Sequence, residues 1–134
     1  MKAEHVVPLS RQALDLLREV RAIGAGSRYV FPGRNPDVPI SNNTMLFALY
    51  RLGYKGKMTG HGFRAVASTI LNEAGFRPDV IERQLAHAER NAVRAAYHRS
   101  EYLEDRRAMM QQWADMLDAL AAGAKVIPLQ RKSR

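Results

Sequence analysis

The chain has 134 residues, about the size of one ordinary domain, and its 46% hydrophobic and 25% charged content excludes wholesale disorder or a fibrous architecture. No apolar run approaches the ~20 residues that cross a bilayer and no secretory signal opens the chain, so we expect a cytoplasmic protein without a membrane partner. The lack of cysteine excludes disulfides and thiol catalysis, and we expect no metal or cofactor. The net charge of +8 predicts a polyanionic partner.

The first predicted elements are a short strand and a helix. Residues 5–9 are rich in β-branched side chains and include Pro8, which predicts a strand leading out of a hairpin. Ser10 then caps a helix in which apolar residues recur at every third or fourth position, as on one buried helical face. Gly24 and Gly26 are expected to end this helix.

Three more helices follow in the sequence. The second is capped by Ser41, Asn42 or Asn43 and ends near Leu52, and Thr59 is the expected cap of the third. Pro78 opens the fourth, with acidic residues near its positive end. The buried stripe expected of the third helix consists of Phe63, Val66, Ala67, Ile70, Leu71 and Ala74.

The C-terminal part is predicted to hold a short helix over residues 92–99 and a long one from about Glu101. We interpret the stripe of the long helix as core packing first and as a contact with a neighbouring subunit second; it consists of Met109, Met110, Trp113, Met116, Leu117 and Leu120. Residues 1–124 are expected to form one domain and residues 125–134 a basic tail. The fold class is therefore mainly α with a small β element at the N-terminus (α+β).

An anion site is predicted at the start of the third helix. His61 and Arg64 are three residues apart, so both side chains lie on one helical face beside the N–H groups of the first turn. Arg64 offers a planar fork for two phosphate oxygens, and His61 offers a hydrogen bond or a titratable proton. In isolation this spacing occurs by chance in many helices. Lys55 and Lys57, in the preceding glycine loop, could contact phosphate or could simply be solvated.

Two further residues give the pattern a chemical meaning. His87 stands near the end of the fourth helix, and Tyr97 follows ten positions later in an alanine-rich stretch flanked by Arg94 and Arg99. Each alone would more often be a surface histidine or a packed aromatic residue. Together with His61 and Arg64 they suggest a site built around a phosphate.

At this point the sequence resembles the phage-type integrases of the tyrosine recombinase family, and specifically the C-terminal part of their catalytic domain. The resemblance covers nearly the whole chain. It rests on five ordered segments: HVVPLS at 5–10, MTGHGFR at 58–64, RQLAH at 83–87, RAAY at 94–97 and EYL at 101–103.

The resemblance implies that Tyr97 is the nucleophile, Arg64 the second catalytic arginine, and His61 and His87 the two histidines. The implied reaction is site-specific recombination of double-stranded DNA through a 3′-phosphotyrosyl intermediate, without metal, cofactor or small-molecule substrate, by recombinase subunits that assemble on the DNA. Arg99, Lys55 and Lys57 are the candidate DNA contacts, and the resemblance implies that the protein is nucleoid-associated. Tyr102 follows His87 by fifteen residues, too far for the family spacing, and is interpreted as packing.

Two departures from the family pattern concern activity. The family places its first catalytic arginine well upstream of the Val7-Pro8-Leu9 segment, and its catalytic lysine just before that segment. Lys2 is the candidate lysine, but it stands closer to Pro8 than the family spacing requires. Because loss of one preorganised charge stabiliser lowers a rate by about 100- to 1,000-fold, we expect these 134 residues alone to be inactive.

Two other functions fit the same sequence. A helix-turn-helix DNA-binding module without catalysis would use the helices on either side of Gly75, and it requires an exposed, basic helix after Pro78. A decayed integrase remnant would fold and bind DNA without reacting. Only a covalent protein–DNA adduct separates the remnant from an active recombinase.

Overall fold

A computed structural model of the chain describes residues 5–24, 26–86 and 102–123. Within these ranges the protein is helical, and the mainly α class is confirmed. The helices are α1 (Arg11–Ile23), α2 (Thr44–Arg51), α3 (Gly60–Glu73), α4 (Pro78–Gln84) and α5 (Leu103–Ala121). None of these helices is long and apolar enough to cross a membrane.

The small N-terminal β element is not found in the described part of the chain. Residues 5–10 form no strand, and the isolated bridge between Pro32 and Pro39 is the one β-type pairing there. The carbonyl of Val6 accepts a hydrogen bond from a side chain on α5, and Pro8 is buried and has no N–H to donate. The β-branched residues of this segment therefore form no sheet among the described residues.

The chain divides into two compact units, one formed by Arg11–Ala67 and the other by Met1–Ser10 together with Ser68–Arg134. The boundary falls inside α3. We call Arg11–Ala67 the basic unit, because it holds nine Lys and Arg and three Asp and Glu, a net +6 of the chain's +8. The other is called the α4–α5 unit.

The α4–α5 unit contains the buried core. Leu71 from α3, Val80 and Ile81 from α4, and Met109 from α5 are 0–3% exposed and form one cluster. Four half-buried residues pack around it: Phe76, Leu85, Tyr102 and Trp113. The turn from α3 to α4 passes through Gly75 at φ 83°, a conformation that favours glycine, and Pro78 begins α4 as predicted.

The basic unit holds α1, a turn-rich segment, α2 and the first half of α3. Ser27, only 4% exposed, orders the segment by donating from Oγ to the Pro36 carbonyl over 2.6 Å. α1 begins directly after Ser10 and ends before Gly24, as predicted. The expected buried face of α1 is wrong, however, because no residue of that helix is buried.

Two other predicted stripes are only partly correct. On α3, Leu71 is buried, but Phe63 is 53% exposed and Val66 is 41% exposed. On α5, Met109 and Trp113 pack in or against the core, which confirms the core interpretation for them, whereas Leu117 is 44% exposed. Helical periodicity identified the helices correctly but overestimated how much of each face is covered.

Candidate active site

The predicted anion site lies at the capped start of α3. Thr59 caps the helix as expected: its Oγ1 accepts a hydrogen bond from the N–H of Gly62 over 3.1 Å. Because α3 begins at Gly60, His61 stands in its first turn and Arg64 at the start of its second turn. Their spacing of three residues places them on one helical face, where the positive end of the helix dipole favours an anion.

The two side chains differ in exposure. His61 is exposed and Arg64 is half-buried. A half-buried guanidinium is held more rigidly than a surface one, whereas an exposed imidazole is accessible to a large ligand such as a DNA backbone. This arrangement can bind a phosphate and exchange a proton with it. The described residues contain no group of three His, Asp or Glu that could hold a metal ion.

Gly62 was missed as a site residue in the sequence. A Cβ at this position would lie 2.7 Å from Sδ of Met58, so a side chain here would require the flexible side chain of Met58 to shift. The signal was available, since Gly62 stands between His61 and Phe63 at the start of a helix, where glycine is otherwise unfavourable. Gly62 keeps Met58 packed close to the turn that carries His61 and Arg64.

The two candidate DNA-contacting lysines lie on the exposed turn between α2 and α3. Gly56 adopts φ 74° between Lys55 and Lys57, and both lysines are exposed. The ammonium of Lys55 lies 5.8 Å from the ring centroid of Tyr50, within the range of a cation–π interaction. The turn therefore presents two cations to solvent.

No acidic residue occurs between Asp37 and Glu73, a stretch that includes Arg51, both lysines of the turn and Arg64. Positive charge is thus unopposed along the sequence that leads into α3. Such a concentration attracts a polyanion more strongly than the net charge of the whole chain implies.

Four of the predicted site residues lie outside the described residues. These are Lys2, His87, Tyr97 and Arg99. The predicted helix over residues 92–99 and the basic tail 125–134 lie outside them too. The described chain stops at Ala86, which has a left-handed φ of 51°, and resumes at Tyr102.

Tyr102, the rival nucleophile, is a packing residue. It is half-buried against the core of the α4–α5 unit, and the guanidinium of Arg77 lies 4.8 Å from its ring centroid. Arg77 also bonds Asp79, and this hydrogen bond together with one from Tyr102 holds the pKa of the Asp79 carboxyl below its usual value. Tyr102 thus packs against the core as expected, while the choice of Tyr97 over Tyr102 as the nucleophile stays a prediction.

The structure argues against a helix-turn-helix reader. That function requires an exposed basic helix after Pro78, but Val80 and Ile81 of α4 are 3% and 0% exposed. The exposed side of α4 carries Asp79 and Glu82. A helix with a buried apolar side and an acidic outer side is a poor fit to the DNA major groove.

Comparison with known proteins identifies the class. Residues 1–104 match the model of the phage integrase family, and the chain belongs to that family. The resemblance to phage-type integrases is thereby confirmed.

Three relatives illustrate the similarity. Prophage integrase IntA of Escherichia coli is 47% identical over 135 residues, which cover 100% of this chain and 33% of that protein. Prophage integrase IntZ of Escherichia coli is 51% identical over 126 residues, covering 92% of this chain and 31% of that protein. The integrase of Enterobacteria phage P4 is 51% identical over 123 residues, covering 88% and 28%. The chain thus spans about one third of the length of these relatives, and no solved structure matches it.

Proposed function

We propose that this chain is the C-terminal part of an integrase catalytic domain that breaks and rejoins double-stranded DNA. The observation that carries the proposal is the pair His61 and Arg64 on one face at the start of a capped helix, within the unit that carries +6 of the chain's net charge of +8. Family membership makes strand exchange the natural use of such a phosphate site.

In the proposed reaction the hydroxyl oxygen of Tyr97 attacks a phosphorus atom of the DNA backbone. As the 3′-phosphotyrosyl bond forms, the hydroxyl of Tyr97 gives up its proton, for which His61 is the candidate acceptor. The bond from phosphorus to the 5′ oxygen breaks, and the departing 5′ oxygen takes up a proton, for which Lys2 is the candidate donor. A 5′-hydroxyl from another strand then reverses these steps. The phosphotyrosyl bond conserves the energy of the phosphodiester, so no nucleotide cofactor is consumed.

Arg64 and His87 stabilise the negative charge that develops on the phosphoryl oxygens, and His61 orients the phosphate or assists proton transfer. Lys55, Lys57 and Arg99 contact the DNA backbone on either side. Two strands must be exchanged between two DNA sites, so we propose that further recombinase subunits are partners on the DNA.

These 134 residues alone are proposed to be inactive. No arginine precedes Arg11 in the sequence, so the family's upstream catalytic arginine has no counterpart here. One missing charge stabiliser lowers the rate by about 100- to 1,000-fold.

The test is a fusion protein. The chain replaces the segment of the phage P4 integrase to which it is 51% identical, and the fusion is incubated with the DNA substrate of that integrase. We expect an adduct that survives denaturation and that mass spectrometry maps to Tyr97. The unfused 134-residue chain is expected to form far less of it.

Matched variants decide the roles. Tyr97→Phe should abolish the adduct, Tyr102→Phe should retain it, and Arg64→Ala should slow its formation by about 100- to 1,000-fold. An adduct that persists in Tyr97→Phe refutes the assignment of the nucleophile. DNA binding without any adduct would favour a non-catalytic remnant that only binds DNA. The stretch between Asp37 and Glu73, which has no acidic residue, would support DNA binding by such a remnant equally well.

A further inference from the structure

Arg106 of α5 is a buried cation that bridges two other segments. The residue is 3% exposed. Its Nε donates to Oε1 of Gln84 over 2.9 Å, and its Nη2 donates to the carbonyl of Val6 over 2.5 Å. Arg106 therefore connects α5 with the last residue of α4 and with the segment of residues 5–10.

This guanidinium has no carboxylate partner among the described residues; the oxygens that it bonds are neutral. Burial lowers the pKa of Arg106, and the positive charge of Arg83 nearby lowers it further. Nε of Arg83 is itself buried and lacks a hydrogen-bond partner in the described chain. A buried cation held in this way adds little net stability, so its distinctive contribution is geometric, namely two directional bonds from one rigid planar group.

One of these two bonds acts on the end of α4, at Gln84. Gln84 is held twice: its side chain by Arg106, and its backbone carbonyl by Nε2 of His5 at 3.3 Å. Only Leu85 and Ala86 separate Gln84 from His87 in the sequence. The N–H groups of Leu85 and Ala86 are bonded to the carbonyls of Ile81 and Arg83, and Ala86 turns the chain with φ 51°.

The chain is held equally firmly where the described part resumes. Tyr102 packs against the core under Arg77, and Arg77 also lies 3.7 Å from Asp105 of α5. The described residues on either side of positions 87–101, which include His87 and Tyr97, therefore belong to the same pair of packed helices. Arg106 stands one turn into α5 and connects the end of α4 to that helix.

We propose that Arg106 is a positioning residue for His87, acting through Gln84 to fix the direction in which the chain leaves α4. The proposal rests on the proposed function of His87. It assigns a role to a residue outside the five segments that carry the family resemblance. The sequence held one signal, since Arg106 precedes Met109 by three residues and Trp113 by seven and so shares their buried face.

The first test compares two neighbouring arginines in the phage P4 fusion. Arg106→Met removes both hydrogen bonds but fills a similar volume, and Arg107→Met is the matched control, because Arg107 is exposed and bonds Glu104 of the same helix. We expect Arg106→Met to slow adduct formation by about 10- to 100-fold at saturating DNA, with unchanged DNA affinity. Arg106→Lys, which keeps the charge and one donor, should restore part of the rate, and Arg107→Met should react like the parent.

Stability is separated from positioning by a second variant. Gln84→Leu removes the acceptor and leaves Arg106 bonded to Val6, so it should also slow the reaction, by a smaller factor, even if Arg106→Met melts below the assay temperature. The limb of the pH–rate profile that belongs to His87 should shift in both variants and not in Arg107→Met. Parent-like rates and profiles in a folded Arg106→Met, or in Gln84→Leu, overturn the proposal.

A readout without catalysis distinguishes this proposal from the proposed function. In the 134-residue chain, the pH titration of the His87 ring is followed by NMR in the parent, Arg106→Met and Arg107→Met. A changed midpoint or a broadened ring resonance in Arg106→Met alone supports positioning, even if the parent fusion forms no adduct and the recombinase assignment fails. Identical titrations in all three chains overturn it.

Discussion

The guanidinium of Arg77 lies over the ring of Tyr102, 4.8 Å from its centroid, and donates to the carboxylate of Asp79 from Nη2 over 2.6 Å and from Nε over 3.2 Å. One arginine thus joins the first turn of α4 to the residue that caps α5. Tyr102 has a left-handed φ of 67°, which is unfavourable for an aromatic residue unless its side chain is firmly packed. The arrangement explains why this tyrosine is part of the scaffold.

Substitutions at Tyr102 should therefore affect stability. Tyr102→Phe loses the hydrogen bond of the hydroxyl and should lower the free energy of unfolding by about 1 kcal/mol. Tyr102→Ala also loses the packing against the core and should lower it by about 2 kcal/mol. Urea denaturation followed by circular dichroism measures both. Equal stability of the parent and Tyr102→Ala would contradict the packing role.

The Arg77–Asp79 pair predicts a loss of stability in acid. The hydrogen bond from Arg77 keeps the pKa of Asp79 below its ordinary value of 3.8, so the folded state favours the ionised carboxylate. This contribution is fully present above the unfolded pKa and is lost as the pH falls through the folded one. The effect is small because both side chains are about half exposed to solvent.

Asp79→Asn isolates that contribution. Between pH 5 and pH 2, the urea midpoint of the parent should fall more steeply than that of the variant. The difference should match the protonation of one carboxyl group whose pKa is lower in the folded state than in the unfolded state. Asp15→Asn is the control, since Asp15 forms an exposed ion pair with Arg18 within α1. If the urea midpoints of the parent and of Asp79→Asn fall in parallel as the pH is lowered, the Arg77–Asp79 pair does not contribute to stability.

The limits of sequence reasoning follow from particular residues. Helix starts were predictable where a local signal exists, as with the hydroxyl of Thr59 before α3 and the ring of Pro78 at the start of α4. The missing strand was not predictable, because whether residues 5–9 pair depends on a partner far away in the sequence. The carbonyl of Val6 is instead bonded by a side chain one hundred residues later.

The candidate site shows the same division. The placement of His61 and Arg64 on one face at the start of α3 follows from spacing and a cap, both of which are local. Arg106 was missed, because a charged residue on an apolar stripe is normally assigned to the helix edge. Its burial depends on two oxygens supplied by other segments, which no local pattern reveals.

Ala86 offers a prediction about backbone strain. It adopts φ 51° directly before His87, in a region that costs a residue with a Cβ about 1 kcal/mol relative to glycine. Ala86→Gly should therefore raise the free energy of unfolding by up to about 1 kcal/mol, measured by thermal unfolding. Ala74→Gly is the control. Because Ala74 has no positive φ, its substitution by glycine relieves no strain and should leave stability unchanged or lower it. A lower melting temperature for Ala86→Gly would contradict the strain.

The turn before α3 provides a prediction about DNA binding. Lys55 and Lys57 are exposed on either side of Gly56, with no acidic residue in the surrounding sequence. If each neutralises one phosphate, each substitution by alanine should lower the slope of log affinity against log salt concentration by about 0.9, and the double variant by twice as much. Fluorescence anisotropy of the 134-residue chain with a double-stranded oligonucleotide measures these slopes.

Arg18→Ala distinguishes a local contact from a general loss of charge. It removes the same single charge from the basic unit, but Arg18 is paired with Asp15 at 3.1 Å on α1. Long-range attraction alone would lower affinity equally in all three single variants and leave the slopes alike. A slope change confined to the lysines would place the turn against the DNA backbone, whereas unchanged slopes in the double variant would mean that both lysines are simply solvated.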